Sequence, residues 1–192
     1  EAKDQWIKVN TVELQRLLSM SSKSDRLYLP LLQPDKDADL ELPLDPYLLG
    51  VLIGDGSIIR SCKVTLPDEE IINNVRNIIN DTVSLIHLSK YDYTISKKAD
   101  SKRNYVIDAL REIGLLGKHA WEKCVPEIYK NGSFNQRLRI LQGLMDTDGT
   151  VGKKGGCSYC TTSETLAKDV QYLVRSLGGM ASISVRKEPK YA

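Results

Sequence analysis

The feature that most constrains this chain is an internal repeat. With Leu48 set over Leu141, LLGVLIGDGSI lies above LQGLMDTDGTV, and Leu48/Leu141, Gly50/Gly143, Asp55/Asp148 and Gly56/Gly149 are identical. Each segment reads as an apolar helix stopped at an aspartate, because the glycine that follows permits an abrupt exit into a strand. Gly50 and Gly54 are one helical turn apart, as are Gly143 and Thr147. Small residues so placed share one face, where a partner backbone can approach closely. The spacing therefore predicts two helices packed face to face, with Asp55 and Asp148 meeting at their C-terminal ends. A carboxylate there faces the negative end of the helix dipole, so a compensating positive charge is expected. Hard divalent cations suit carboxylate and carbonyl oxygens.

The surrounding pattern supports two related halves. Asp45 caps the first helix, with Pro46 at its first position, and apolar residues run through Ile53. Strand character follows over Ser57 to Leu66. An amphipathic helix starts at Asp68, strands run over Val83 to Ser96, and another helix spans Asn104 to Ile113. The order then restarts, with a helix over Arg137 to Met145, a strand over Ser158 to Thr162, a helix capped by Ser163, and a strand over Ala181 to Val185. Before the first half, a helix is expected over Val12 to Met20 and an extended stretch over Leu27 to Leu32, with Pro34 to Asp37 as linker. The domains expected are a connector or accessory contact segment over 1–42, a first half over 43–135 and a second over 136–192.

The paired motifs resemble the two motifs of a LAGLIDADG homing endonuclease of the kind found in inteins. GKHAWEKCVPEIY before the second motif and YCTTSETLAKDVQYLVRSLGG after it are similar to further blocks of that family. The resemblance implies an α+β fold of two pseudo-symmetric αββαββα halves, with saddle-shaped antiparallel sheets straddling duplex DNA. Asp55 and Asp148 would be the catalytic, metal-binding carboxylates, with the carbonyls of Gly54 and Thr147 as further ligands and Mg²⁺ or Mn²⁺ as the cofactor. Lys123 would assist hydrolysis. The implied activity is site-specific cutting of both strands by a monomer with internal two-fold symmetry. The alternative is a non-catalytic relative of the same fold, a regulator or an RNA maturase.

Two departures qualify the match. Ile53 stands where the second motif has Asp146, and fewer residues follow Asp148 than separate Asp55 from Lys123, so the second half reads as shortened and its catalytic lysine is unassigned. The chain opens on Glu1 and shows no splicing signature, so splicing is not expected of it.

Net charge of +2, from 27 basic and 25 acidic residues, leaves any DNA surface to local distribution. Strand-adjacent Arg60, Lys63, Lys90, Lys97, Lys98, Lys102 and Arg103 form one basic strip, and Lys153, Lys154, Arg186 and Lys187 another. Ser57, Thr65, Tyr93, Tyr159 and Thr161 are expected to add polar contacts. Trp121 reads as core, and His87 and His119 as structural. Cys157 and Cys160 form a C-x-x-C pair with no second pair at zinc spacing, so with Cys62 and Cys124 they read as free thiols in a reducing, intracellular setting. No apolar run is long enough to span a membrane.

Overall fold

A computed structural model describes residues 8–20 and 38–186. The expected extended stretch at Leu27 to Leu32, the linker at Pro34 to Asp37, and Lys187 lie outside the described residues. The chain divides into two compact units, residues 1–31 and 32–192. In the first, helix α1 (Thr11–Met20) matches the expected helix, starts with Asn10 Oδ1 accepting from the Glu13 amide at 2.9 Å, and buries none of its residues.

In the larger unit, helix α2 (Pro46–Gly54) begins as expected. Asp45 accepts from the amides of Tyr47 and Leu48 at 2.8 and 3.2 Å, with Pro46 just inside. Every residue from Pro46 to Ile53 is buried, which is why the segment is apolar on all sides rather than along one stripe. Strands β1 (Gly56–Ser57) and β2 (Lys63–Thr65), helix α3 (Glu69–Ile78), strands β3 (Val83–Ser89) and β4 (Asp92–Lys97), and helix α4 (Tyr105–Glu112) complete an αββαββα half. Its sheet is antiparallel in the order β1-β2-β4-β3. Asp68 and Asn104, expected as the first residues of these helices, cap α3 and α4 through their side chains. Strand alternation sends Val64, Tyr93 and Ile95 into the core with Ile72, Val75, Val106 and Leu110 from the helices, and leaves Lys63 and Thr65 on the outer face.

The chain then passes a 3₁₀ turn (Ala120–Glu122) and short helix α5 (Glu127–Lys130) to helix α6 (Phe134–Asp148). Ser133 and Gln136 form a capping box at its start. The Gln136 side chain also bonds both backbone groups of Leu40, at 3.0 and 2.7 Å, which ties the approach to α2 onto α6. Strands β5 (Gly149–Val151) and β6 (Cys157–Tyr159) pair as a hairpin, and α7 (Glu164–Ser176) follows its Ser163 cap. The expected strand over Ala181 to Val185 does not form. The Ala181 carbonyl is taken instead by Gln171 Nε2 and Arg175 Nη2 from α7, at 3.1 and 3.0 Å, and this stretch pairs with no strand among the described residues.

The molecule is therefore α+β with antiparallel sheets, an αββαββα half followed by an αββα segment. The two are joined where α2 crosses α6. A Cβ on Gly50 would strike the Ile140 carbonyl and come within 2.9 Å of the Leu144 amide nitrogen. One on Gly143 would strike the Tyr47 carbonyl and come within 2.9 Å of the Val51 nitrogen. Since backbone cannot move aside as a side-chain tip can, Gly50→Ala or Gly143→Ala must push the helices apart. Each is expected to lower unfolding free energy by about 2–3 kcal/mol, measured by denaturant titration; wild-type stability in both variants would contradict the close crossing.

Candidate active site

The crossing delivers both repeat aspartates to one place. Asp55 is the residue that ends α2, and Asp148 is the last of α6. Both carboxyls are raised above the usual aspartate range. Burial is the main cause for each, and for Asp148 the charge of Asp55 is the next. That electrostatic coupling is the signature of a carboxylate pair.

Lys123 supplies the expected positive charge. It is only 5% exposed, and its Nζ donates to four carbonyls at the end of α2: Ile53 and Gly56 at 2.7 Å, Gly54 at 3.2 Å and Leu52 at 3.4 Å. These include carbonyls that a helix end leaves without an amide partner, so the ammonium acts as a C-terminal cap. Burial lowers the Lys123 pKa, while Asp148 and Asp55 pull it back upward. The Gly54 carbonyl, expected as a metal ligand, thus already accepts from Lys123. The Thr147 side chain is half-buried in the helix contact: its hydroxyl donates to the Gly143 and Leu144 carbonyls at 3.1 and 2.9 Å and abuts Gly54.

The donors suit a hard cation. Two part-buried carboxylates bring opposed negative charge to a spot from which burial removes water, and neutralisation by a divalent ion relieves both penalties. No group of three or more His, Cys, Asp or Glu side chains able to hold a metal occurs among the described residues, so carbonyls and water would have to complete a shell built on Asp55 and Asp148.

One neighbour of this centre was not assigned to it by sequence reasoning. Tyr159, expected on the DNA face, is pushed well above the usual tyrosine range by burial and by the Asp148 charge, and its hydroxyl has no hydrogen bond of good geometry. Asp146, the odd residue opposite Ile53 in the repeat, accepts from the Tyr47 hydroxyl at 2.8 Å. Burial first, and then Asp146, push Tyr47 up to about 12. Ile53 is fully packed in the core. The mismatch in the repeat therefore follows from unlike surroundings, since α2 is enclosed on every side whereas α6 has an exposed face.

The proposed DNA residues fall into distinct groups. Ser57, Lys63 and Thr65 are exposed along β1 and β2, with Arg60 exposed in the turn between those strands. Lys153 and Lys154 occupy the exposed β5–β6 turn, Lys90 the β3–β4 turn, and Thr161 the part-buried exit from β6. Tyr93 packs inward, 8% exposed, because its strand parity matches Ile95 and its pairing partner is Val64. Lys97 shares that parity and bonds the Ser101 carbonyl at 3.1 Å. Lys102 and Arg103 line an open groove against α4 that also holds Asp100 and Asp108, so their charge is locally offset. Lys98 and Arg186 are exposed outside the strands.

Trp121 corrects the expectation of a core residue. It is 63% exposed and lies parallel to the His119 ring at a centroid distance of 4.6 Å, because the short 3₁₀ turn offers it a ring to stack on rather than a pocket. All four cysteines are free, and Cys157 and Cys160 are exposed. No helix among the described residues is long and apolar enough to cross a membrane.

The raised aspartates carry a stability consequence. A carboxyl whose folded pKa exceeds its unfolded value costs stability when ionised, and the cost disappears as pH falls through the raised folded pKa toward the ordinary aspartate range. Asp55→Asn or Asp148→Asn is therefore expected to raise Tm near neutral pH in chelator. The gain should shrink on acidification. Thermal melts at both pH values check this, and a lower Tm for both variants at neutral pH would contradict it.

Comparison with known proteins agrees with this geometry. Residues 135–192 match the model of a LAGLIDADG-like domain. The chain is 33% identical over 149 residues to a protein of Mycobacterium intracellulare named replicative DNA helicase DnaB, covering 78% of this chain and 22% of that one. A DnaB of Synechocystis is 28% identical over 204 residues, 94% of this chain and 22% of its own length. Protein RecA of Mycobacterium bovis is 30% identical over 146 residues, covering 68% and 18% respectively. The chain thus spans about a fifth of the length of the curated relatives it matches. The matched segment begins just before α6 and takes in Asp148, so this part of the chain is a LAGLIDADG-like domain.

Proposed function

We propose that this chain is a site-specific endonuclease that hydrolyses both strands of duplex DNA with Mg²⁺ or Mn²⁺, and that it is the endonuclease part of an intein. The observation that carries the nuclease reading is the convergence of two helix-terminal aspartates beside a buried lysine. The intein reading is supported by the relatives: a replicative DNA helicase DnaB and a Protein RecA are different proteins by name, yet each shares only about a fifth of its length with this chain. A segment common to two such proteins is what a mobile insert leaves behind.

Asp55 and Asp148 would hold the metal, which when bound supplies an activated water and stabilises charge on the phosphodiester. The chain's own residues do the rest. Opposed helix ends fix the two carboxylates on rigid backbone, Lys123 offsets the negative ends of α2, and exclusion of water strengthens each charge interaction. The strands of a duplex run in opposite directions, so two quasi-equivalent centres on a pseudo-two-fold axis let one monomer cut both. Lys63, Arg60, Lys153 and Lys154 would meet phosphates or base edges from the sheet and its turns. An intracellular setting follows from such a substrate.

The test is to incubate the chain and Mg²⁺ with the host-gene sequence joined across the insertion point. A discrete double-strand cut is expected. Asp55→Asn and Asp148→Asn should keep DNA affinity and lose cleavage by at least ~100-fold, because losing a direct ligand exceeds the ~10–100-fold cost of losing a residue behind one. Binding without cutting by the wild type would point instead to a non-catalytic regulator or RNA maturase.

A further inference from the structure

The segment that carries Lys123 runs extended between the 3₁₀ turn and α5, with Lys123 at φ −66° and ψ 145°, and it pairs with no strand among the described residues. Its polar backbone groups must find other partners. They find them in α7, which lies in the second half. Ser163 Oγ donates to the Lys123 carbonyl at 2.7 Å while accepting from the Leu166 amide at 3.1 Å. Asp169 Oδ2 accepts from the Val125 amide at 2.8 Å, and its Oδ1 accepts from Lys130 Nζ at 2.8 Å. Ser163 is 1% exposed and Asp169 5%. A buried carboxylate is an expensive way to fill space, and here both of its oxygens are spent on the stretch that begins at Lys123.

We propose that Ser163 and Asp169 are positioning residues for Lys123, so that the centre at the end of α2 is built partly by α7 of the other half. The two bonds anchor the backbone immediately after the lysine. One holds its own carbonyl and the other the amide two residues on, so the Nζ stays directed at the end of α2 beside Asp55. The structural claim stands on these contacts, and its catalytic consequence rests on the nuclease reading.

The test uses the full chain without DNA or metal, and measures amine labelling of Lys123 by mass spectrometry against exposed Lys153 as internal standard. In the wild type Lys123 should be strongly protected. Ser163→Ala should raise its relative labelling by about 5–10-fold, the effect of one lost hydrogen bond; Asp169→Asn should raise it less, since one oxygen remains, and Ser163→Thr should restore protection. Asn104→Ala is the control, because it removes an equivalent helix cap from α4 and should leave Lys123 protected. Unchanged labelling in both the Ser163→Ala and Asp169→Asn variants overturns the proposal, as does equal exposure in Asn104→Ala, which would show general loosening.

On a cleavable duplex, Ser163→Ala should slow one strand more than the other at unchanged DNA affinity, and equal slowing of both strands would count against a role at the α2 centre. If the wild type cuts nothing, the nuclease reading fails while the labelling result still decides what holds Lys123.

Discussion

Everything else in this molecule depends on how closely α2 and α6 approach. Two helices can touch backbone to backbone only where neither carries a side chain, and Gly50 and Gly143 are the facing positions. Further along the same faces Gly54 receives Thr147, so the contact persists toward the C-terminal ends. With larger residues the axes would separate and the two aspartates would part with them. The apolar enclosure of α2 then makes the crossing stable as well as close, because each fully buried leucine or isoleucine contributes about 2 kcal/mol relative to exposure.

This proximity creates an electrostatic problem that the fold answers only in part. Two carboxylates at two negative helix ends repel each other and have lost water. Lys123 offsets the charge, but its ammonium is itself partly desolvated and is committed to the α2 carbonyls. The centre is left with an electrostatic cost of the kind a bound divalent cation would relieve. The arrangement is also lopsided: among the described residues no lysine caps α6 as Lys123 caps α2. The two helix ends are therefore related by the repeat without being chemically equal.

Much of this was legible in the sequence because it rests on local rules. The caps at Asp45 and Ser163 are short polar residues immediately before apolar-rich runs, and the structure uses both, while Asp68 and Asn104 mark the starts of α3 and α4 to within one residue. The face shared by Gly50 and Gly54 follows from helical periodicity alone. What could not be read depends on tertiary partners. The Lys123 carbonyls, the Ser163 and Asp169 tethers and the Tyr47–Asp146 bond all join residues far apart in sequence. Strand alternation contained the inward turn of Tyr93, yet an aromatic residue among polar ones reads equally well as a surface contact. The β-branched run before Val185 has strand propensity, but α7 side chains took its first carbonyl. Propensity cannot supply a neighbouring strand.

The central claim is that Asp55 and Asp148, one from each half, occupy a single electrostatic environment. A double-mutant cycle on unfolding free energy in chelator near neutral pH measures this directly, with Asp55→Asn, Asp148→Asn and the double variant. If the carboxylates repel each other, the first neutralisation removes part of what the second would relieve, so the double variant should gain less than the sum of the single gains. Strict additivity would mean that the aspartates do not sense each other, and would contradict a shared site at the helix crossing.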